Sequence, residues 1–364
     1  MAARFPLLPD VPSPASRGFR MPAEWEPHAA TWIAWPHQRE DWPGKFEPIP
    51  WVYVEIVRWL HRSERVRLLV QPDLAPQARD MLARGGIDLN QIDFLDFPTD
   101  RVWLRDSGAI FVRDAQGHLA ALDFHFNAWA KYDNWHADDA LPEQIATWRG
   151  LPRWQPTHAG RRFVLEGGSI EVDGAGLLLT TEECLLSDIQ ARNPGLDRAA
   201  IESVLANTLG IRKVLWLHRG ILGDDTHGHV DDLTRFFAPG RVVTMIESDP
   251  TDENHAILQE NLDRLRSFPE ITQVVSLPMP APLYFDGQRI PASYANFYIA
   301  NHAVLVPTFN DLNDRLALST LADLFPDRPV VGIHAVDLVW GLGTLHCLTQ
   351  QEPVGMPAPP ACPS

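Results

Sequence analysis

Cysteine is scarce in this 364-residue chain, which has three: Cys184, Cys347 and Cys362. So odd and sparse a set cannot supply a disulfide framework and fits a reducing compartment. No apolar run approaches the roughly 20 residues that a membrane span requires. The opening stretch MAARFPLLPDVPSPASRGFR lacks the continuous apolar core of a signal peptide, so the expected location is the cytoplasm. Positive charge is in the minority: 31 Lys and Arg against 47 Asp and Glu leave a formal net charge of −16, with no basic stripe. That balance argues against nucleic acid and anionic membrane as partners and favours a small cationic molecule. A phosphate-cradling glycine loop, a Cys-x-x-Cys pair and a Gly-x-Ser-x-Gly elbow are also missing.

What is present reads as an ordinary globular chain, 45% hydrophobic and 21% charged, able to bury a sizeable core. Residues 1–20, rich in Pro, Ser and Arg, and residues 354–364 (VGMPAPPACPS) are expected to be flexible segments. With no long Pro/Gly/Ser linker between them, residues 21–353 read as a single domain. Within it short strands alternate with helices. WVYVEIVRWLHR carries Val52, Ile56, Val57 and Leu60 at helical spacing, and VRLLV follows as a buried strand. APQARDMLARGG predicts a helix stopped at Gly85 and Gly86, with IDFLDF the next strand. Later, NDRLALSTLADLF places Leu316, Leu318, Leu321 and Leu324 on a helix between the strands HAVLVP and PVVGI. GLLLT and GRVVTMI are further strands. Five polar clusters precede strands at roughly even spacing: WLRDSGA, LEGGSIEV, DTHGHVDDL, ASYANFYI and GTLHCLTQQ. Such spacing fits repeated units that aim polar residues at one centre.

Chemistry can be sought in each cluster. Cys347 follows Gly341 and Gly343, which permit close backbone approach, and precedes the polar run Thr349, Gln350, Gln351. A cysteine is most often a small packing residue, yet this one has His and Asn candidates elsewhere in the chain. Read as a short strand, the segment points the adjacent His346 to the opposite face, so a base for Cys347 is expected from another segment. GDDTHGHVDDL supplies His227, His229, Asp231 and Asp232 after Asp224 and Asp225. Two chemical readings of it stand side by side, beside that of a merely solvated turn. A His-x-His-x-Asp pattern on one strand face suits zinc or iron. The same residues suit a histidine acid/base beside a carboxylate that holds a cation. Arg105 and Asp106 could form a mere local ion pair, the Glu166-Gly-Gly turn a structural hairpin lead-in, and Asn296 a satisfied core amide.

Together, and in this order, the segments MPAEWEPHAATWIAWP, VWLRDSGAIFV, FNAWAKYDNW, LEGGSIEVDG, ECLLSDIQARNPG, THGHVDD, PASYANFYIANHAVLVPTFND and GLGTLHCLTQQEP resemble the agmatine deiminase and bacterial peptidylarginine deiminase family of the guanidine-modifying superfamily. The likeness runs from about Met21 to Pro353. It implies an α/β pseudo-fivefold propeller, the pentein fold, built from repeated ββαβ-like units around a central site. It implies Cys347 as nucleophile and His229 as general acid/base, with Asp106 and Asp231 gripping a guanidinium. Glu166, Asn296 and Trp103 match residues near that group, and Asp225 a contact to the substrate's far end. The reaction implied is hydrolysis of agmatine to N-carbamoylputrescine and ammonia, with no metal and no organic cofactor. The family further suggests a homo-oligomer. Peptidyl or free arginine, another guanidino compound and an amidinotransferase-like reaction are the alternative chemistries. A metal-dependent amidohydrolase and a non-catalytic guanidinium-binding protein are the contrasting classes. Three positions depart from the family pattern: Ala109 where proline is usual, Ala130 where glycine is common, and Thr344 in GLGTLHC where GGGNIHC is frequent. Cys184 and Cys362 read as bystanders.

Overall fold

The computed structural model describes residues 13–359. Cys362 and residues 1–12 lie outside the described residues, so the expected flexible ends are described only in part. Of those ends, Ala15–Arg17 forms a 3-10 turn and Arg20 bridges Arg113, while Met356–Pro357 pairs with His118–Leu122.

The chain folds as a mixed α/β structure in which one pairing scheme recurs in five sheets. In each, two strands pair antiparallel, the chain passes through a helix, and a third strand returns parallel to the middle one. Glu171–Val172 and Leu177–Thr181 form the antiparallel pair of one sheet, and Lys213–Leu217 joins parallel after the helix Arg198–Leu209. Thr234–Ala238 and Arg241–Ile246 are followed by Glu253–Ser267 and then Gln273–Pro278. Tyr298–Ala300 and Ala303–Thr308 are followed by Asp314–Leu324 and Val330–His334. Ile110–Arg113 and His118–Leu122 lead through Leu141–Arg149 to Arg153–Trp154. The fifth sheet joins the chain ends: Gln350–Pro353 runs antiparallel to His28–Ala34, which pairs parallel with Arg65–Leu69 after the helix Ile49–Leu60. Ile92–Leu95 extends that sheet.

Local chemistry explains these elements. Pro50 sits in the first turn of Ile49–Leu60, where its missing N–H costs nothing, and the helix buries Ile49, Tyr53, Val54, Ile56, Val57 and Leu60. Asp197 caps Arg198–Leu209 by accepting from the Ala200 N–H at 2.9 Å. The strands VRLLV, IDFLDF, GLLLT, GRVVTMI, HAVLVP and PVVGI fall where their apolar runs place them. The leucine-rich helix forms where its sequence reading places it, over Asp314–Leu324 with all four leucines on it. Only Ala317 and Leu321 of Asp314–Leu324 are buried, Leu318 and Leu324 are half-buried, and Leu316 is 53% exposed. This helix packs on the strands Val330–His334 and Gln273–Pro278, with Leu318 and Leu324 partly buried against the core and only Leu316 of its leucines facing outward. Among the described residues no helix is long and apolar enough to cross a membrane.

Candidate active site

The five polar clusters each end at the first strand of a sheet's antiparallel pair, and four of them are single helical turns. Leu104–Ser107 carries Asp106, Glu166 leads into Gly167–Ser169, His229 leads into Val230–Asp232, and Leu345–Leu348 carries Cys347. Asn296 sits in the turn before Tyr298–Ala300. The strand geometry expected around His229 and Cys347 is therefore wrong. A turn of three or four residues has no periodicity for a sequence reading to detect, whereas the strands after it do. The correction matters for His227. Its φ is +64° and its Nε2 lies 3.1 Å from the Ser187 hydroxyl, so it does not share a face with His229 and Asp231. Among the described residues the His-x-His-x-Asp metal arrangement is not assembled.

Around Cys347 the remaining residues do converge. The Asn296 amide nitrogen lies 3.1 Å from the Cys347 sulfur and also donates to Asp231 and Asp232. Asn296 in turn accepts from the Thr344 hydroxyl at 2.7 Å and from the His346 N–H at 3.1 Å, so the departing Thr344 anchors the same amide. Asp231 Oδ2 is 3.7 Å from the sulfur. His229 lies among three carboxylates: Nδ1 is 3.9 Å from both Asp106 and Asp231, and Nε2 is 3.8 Å from Glu166. None of these is a hydrogen bond. Both ring nitrogens, Asp231 Oδ1 and Glu166 Oε2 are buried without a partner. A buried polar atom left unpaired costs about 1–3 kcal/mol, so four in one place mark where a ligand rich in donors and acceptors belongs.

A cleft of about 640 Å³ opens above this group, lined among others by Trp103, Asp106, Trp129, Tyr132, Asp225 and Cys347. Thus Trp103, Asp106, Asp225 and Cys347 line the cleft, while His229, Asp231, Glu166 and Asn296 lie buried behind its floor. Asp225 stands toward the rim, accepting from the Tyr132 hydroxyl at 2.7 Å and paired with Lys131. Arg101, also at the rim, is held by Asp41 at 2.5 Å with its guanidinium 4.4 Å from the Tyr132 ring centroid. Two glycines are required by close approach. A Cβ on Gly168 would lie 2.6 Å from His229 Nδ1 and 2.8 Å from Asp106 Oδ1, and one on Gly343 2.8 Å from the Trp103 ring.

The electrostatics follow from so many buried charges. Burial alone would push the His229 imidazole down, but Asp106, Cys184 and Glu166 beside it carry it well above its ordinary value. Glu166 is driven the other way: burial would raise it, and Arg192 and His229 hold it at about 2. Asp106 is pushed up to about 6 by burial, which His229 opposes and Asp231 and Glu166 reinforce. Burial works against Asp231 as well, yet His346 keeps its carboxyl low. The Cys347 thiol is raised well above its ordinary value, first by burial and then by Asp231, Asp232 and Asp106. The cleft therefore presents a histidinium and a protonated thiol over a floor with surplus negative charge.

Several contributors carry no local sequence signal. Trp129 donates its indole N–H to Asp106 Oδ2 at 2.9 Å. It sits in the run Ala128, Trp129, Ala130, with φ of +49°, +58° and +53°, a left-handed turn that non-glycine residues rarely adopt. Ala130, the second departure, thus takes a conformation for which glycine is better suited. Ala109, the first, is fully buried, and its carbonyl accepts from Gln350. Beneath the floor, His346 joins Asp231 at 2.7 Å to Glu24 at 2.8 Å. Glu24 also receives Arg235 at 2.9 Å and Arg105 at 3.2 Å. Arg105 is thus no local partner of Asp106. Cys184, read as a bystander, lies beside His229 and Glu166.

Comparison with known proteins fits this geometry. The sequence pattern of the Porphyromonas-type peptidyl-arginine deiminases matches residues 20–353. The chain belongs to that family. It is 37% identical over 372 residues to the agmatine deiminase of Pseudomonas fluorescens, covering 94% of this chain and 97% of that one. Among solved structures, an agmatine deiminase of Enterococcus faecalis superposes with a TM-score of 0.87 at 32% identity, over 96% of this chain and 100% of that one. The agmatine deiminase of C. jejuni with substrate bound gives 0.83 at 30% identity, over 93% and 97%. Family membership makes the chain a hydrolase of C–N bonds in guanidino groups.

Proposed function

We propose that this chain hydrolyses agmatine to N-carbamoylputrescine and ammonia through a covalent intermediate on Cys347. The observation that carries the reading is the set of unpartnered atoms on His229, Asp231 and Glu166 next to a thiol at the foot of a cleft. A guanidinium is planar with forked N–H donors, and Asp106 and Asp231 can take them by charge-assisted bonds, about 1.5–3 kcal/mol each. Held so, its carbon presents its face to the Cys347 sulfur. The arriving cation offsets the carboxylates that keep the thiol protonated, so as substrate binds the thiol gives its proton to solvent and the thiolate forms with a carbon to attack. Attack gives a tetrahedral adduct, His229 gives its proton to the departing nitrogen, and ammonia leaves a thiouronium on sulfur. His229 then accepts a proton from water, whose oxygen adds to the carbon, and collapse breaks the C–S bond, with the hydroxyl proton passing to the leaving sulfur, to release the ureido product and the Cys347 thiol.

At the far end, the carboxylate of Asp225, shared by Lys131 and Tyr132, takes a substrate ammonium in exchange for Lys131. A free arginine would bring a carboxylate instead, and the nearby cations Arg101 and Lys131 are already paired with Asp41 and Asp225. This favours agmatine over arginine. We further propose that the five sheets sit as a pseudo-fivefold propeller and that residues 21–353 are one domain. The recurring antiparallel-then-parallel pairing supports both. A cytoplasmic location, supported by the sparse cysteines, and assembly into a homo-oligomer belong to the same proposal.

Ammonia release from agmatine, free arginine and a blocked arginine peptide, each with EDTA and with iodoacetamide, tests the reading. Agmatine turnover that resists EDTA and is lost on alkylation is expected. Turnover of arginine alone would move the substrate, and loss of activity with EDTA would refute the metal-free thiol mechanism.

A further inference from the structure

We propose that Glu166, Cys184 and His229 form a site for one thiol-seeking divalent cation, Zn²⁺ foremost, whose occupancy takes His229 out of the reaction. The inhibitory consequence rests on His229 being the acid/base, but the binding does not. A carboxylate oxygen of Glu166, the sulfur of Cys184 and a ring nitrogen of His229 all lie within 4.8 Å of one another, and all three residues are buried. They come from three segments: the residue before Gly167–Ser169, the helix Glu182–Leu186 and the residue before Val230–Asp232. Proximity alone would carry little, but two of the atoms are orphaned. Glu166 Oε2 and His229 Nε2 face each other at 3.8 Å with no hydrogen-bond partner.

The oxygen–nitrogen separation suits a metal, and the sulfur lies within 4.8 Å of both. Zinc takes sulfur at about 2.3 Å and nitrogen or oxygen at about 2.0–2.2 Å. Tetrahedral ligand atoms are then roughly 3.3–3.7 Å apart, so the oxygen and nitrogen need close by only a few tenths of an ångström. A thiolate, a carboxylate and an imidazole are a donor set that zinc shares with other thiol-seeking ions, and a water would complete it. The thiolate and Glu166 neutralise the dication. Arg192, 2.9 Å from the other Glu166 oxygen, orients that carboxylate but also repels the ion. The site is therefore suited to reversible occupancy rather than to a structural zinc. A metal on His229 Nε2 replaces the proton the imidazolium carries on that side, which fixes the ring's remaining proton on Nδ1, the nitrogen that faces Asp106 and Asp231, so Nδ1 has no free lone pair to take a proton from water and the hydrolytic half of the reaction stops. Cys184 takes no part in the chemistry proposed for Cys347, and its thiol acquires a role only here.

The test uses the full-length chain freed of metal, with Co²⁺ as an optical probe for Zn²⁺. Wild type is expected to bind one Co²⁺ with a thiolate-to-metal absorption band that Zn²⁺ abolishes. The double variant Cys347→Ser, Cys362→Ser, which leaves Cys184 as the sole thiol, should keep that band, and Cys184→Ser should lose it. Zn²⁺ should inhibit ammonia release by wild type, and Cys184→Ser should need at least about 10-fold more Zn²⁺. A band absent from wild type or from the double variant, or one that survives Cys184→Ser, would overturn the site whether or not agmatine is the substrate. If the band behaves as expected and Zn²⁺ leaves turnover untouched, the assigned block of His229 is overturned. Because the double variant leaves Cys184 in place, the site remains testable even if Cys184→Ser fails to fold.

Discussion

Replacing Trp129 with Phe isolates one bond in the floor of the cleft. The indole N–H donates to Asp106 Oδ2 at 2.9 Å, and the ring packs edge-on against Phe126 and Tyr132. Phenylalanine keeps an aromatic ring in that position and removes the donor. A hydrogen bond to a charged group contributes about 1.5–3 kcal/mol, which at about 1.4 kcal/mol per decade is roughly a 10- to 150-fold loss in kcat/KM. The pH profile should move as well. Asp106 is already raised to about 6 by burial, with His229 and the Trp129 bond opposing the rise. It is neutral below that value and charged above it, so activity that needs its carboxylate falls as pH drops through about 6. Losing the donor destabilises the carboxylate and carries the acid limb upward, toward neutrality. The profile of kcat/KM against pH reports the free enzyme and is the assay. A variant within twofold of wild type, with its acid limb unmoved, would refute the role given to the Trp129–Asp106 bond and, with it, the need for ionised Asp106.

Other perturbations probe the same floor. Gly168→Ala places a Cβ 2.6 Å from His229 Nδ1, so kcat should fall at least about 10-fold while circular dichroism stays native, and full activity would mean that His229 is free to move aside. Asn296→Asp puts another carboxylate 3.1 Å from the Cys347 sulfur, raising the thiol further. Its kcat/KM should fall more than that of Asn296→Ala, and the reverse order would remove electrostatics as the cause. Because burial and three aspartates hold the Cys347 thiol well above its ordinary value, alkylation of the free enzyme by iodoacetamide should keep accelerating with pH through the ordinary thiol range. A plateau near neutrality would show a preformed thiolate. His229→Gln should cost about 10²–10⁴ in kcat, and near-wild-type ammonia release would exclude it as the proton carrier.

How much of this was legible in the sequence divides along a physical line. Apolar periodicity places the strands Leu177–Thr181, Arg241–Ile246 and Ala303–Thr308, because a buried strand is a local pattern. The turns that hold Cys347 and His229 are too short to have a period, so the strand reading failed there, and His227 was grouped with residues it does not meet. Cys347, His229, Asp106 and Asp231 were recoverable because their order along the chain resembles a family, not because any spacing dictates their convergence. Glu24 shows the limit of local reading. It meets Arg235 across 211 positions and His346 across 322, and in MPAEWEPH it looks like any exposed acid. Both nitrogens of His346 face carboxylates, Asp231 at 2.7 Å and Glu24 at 2.8 Å. The bond from His346 holds the Asp231 carboxyl low in a floor already crowded with acids. The guanidinium site proposed for this floor therefore rests on a second layer of buried ion pairs. Each member of that layer is ordinary in its own segment, and each becomes identifiable only when the fold supplies its partner.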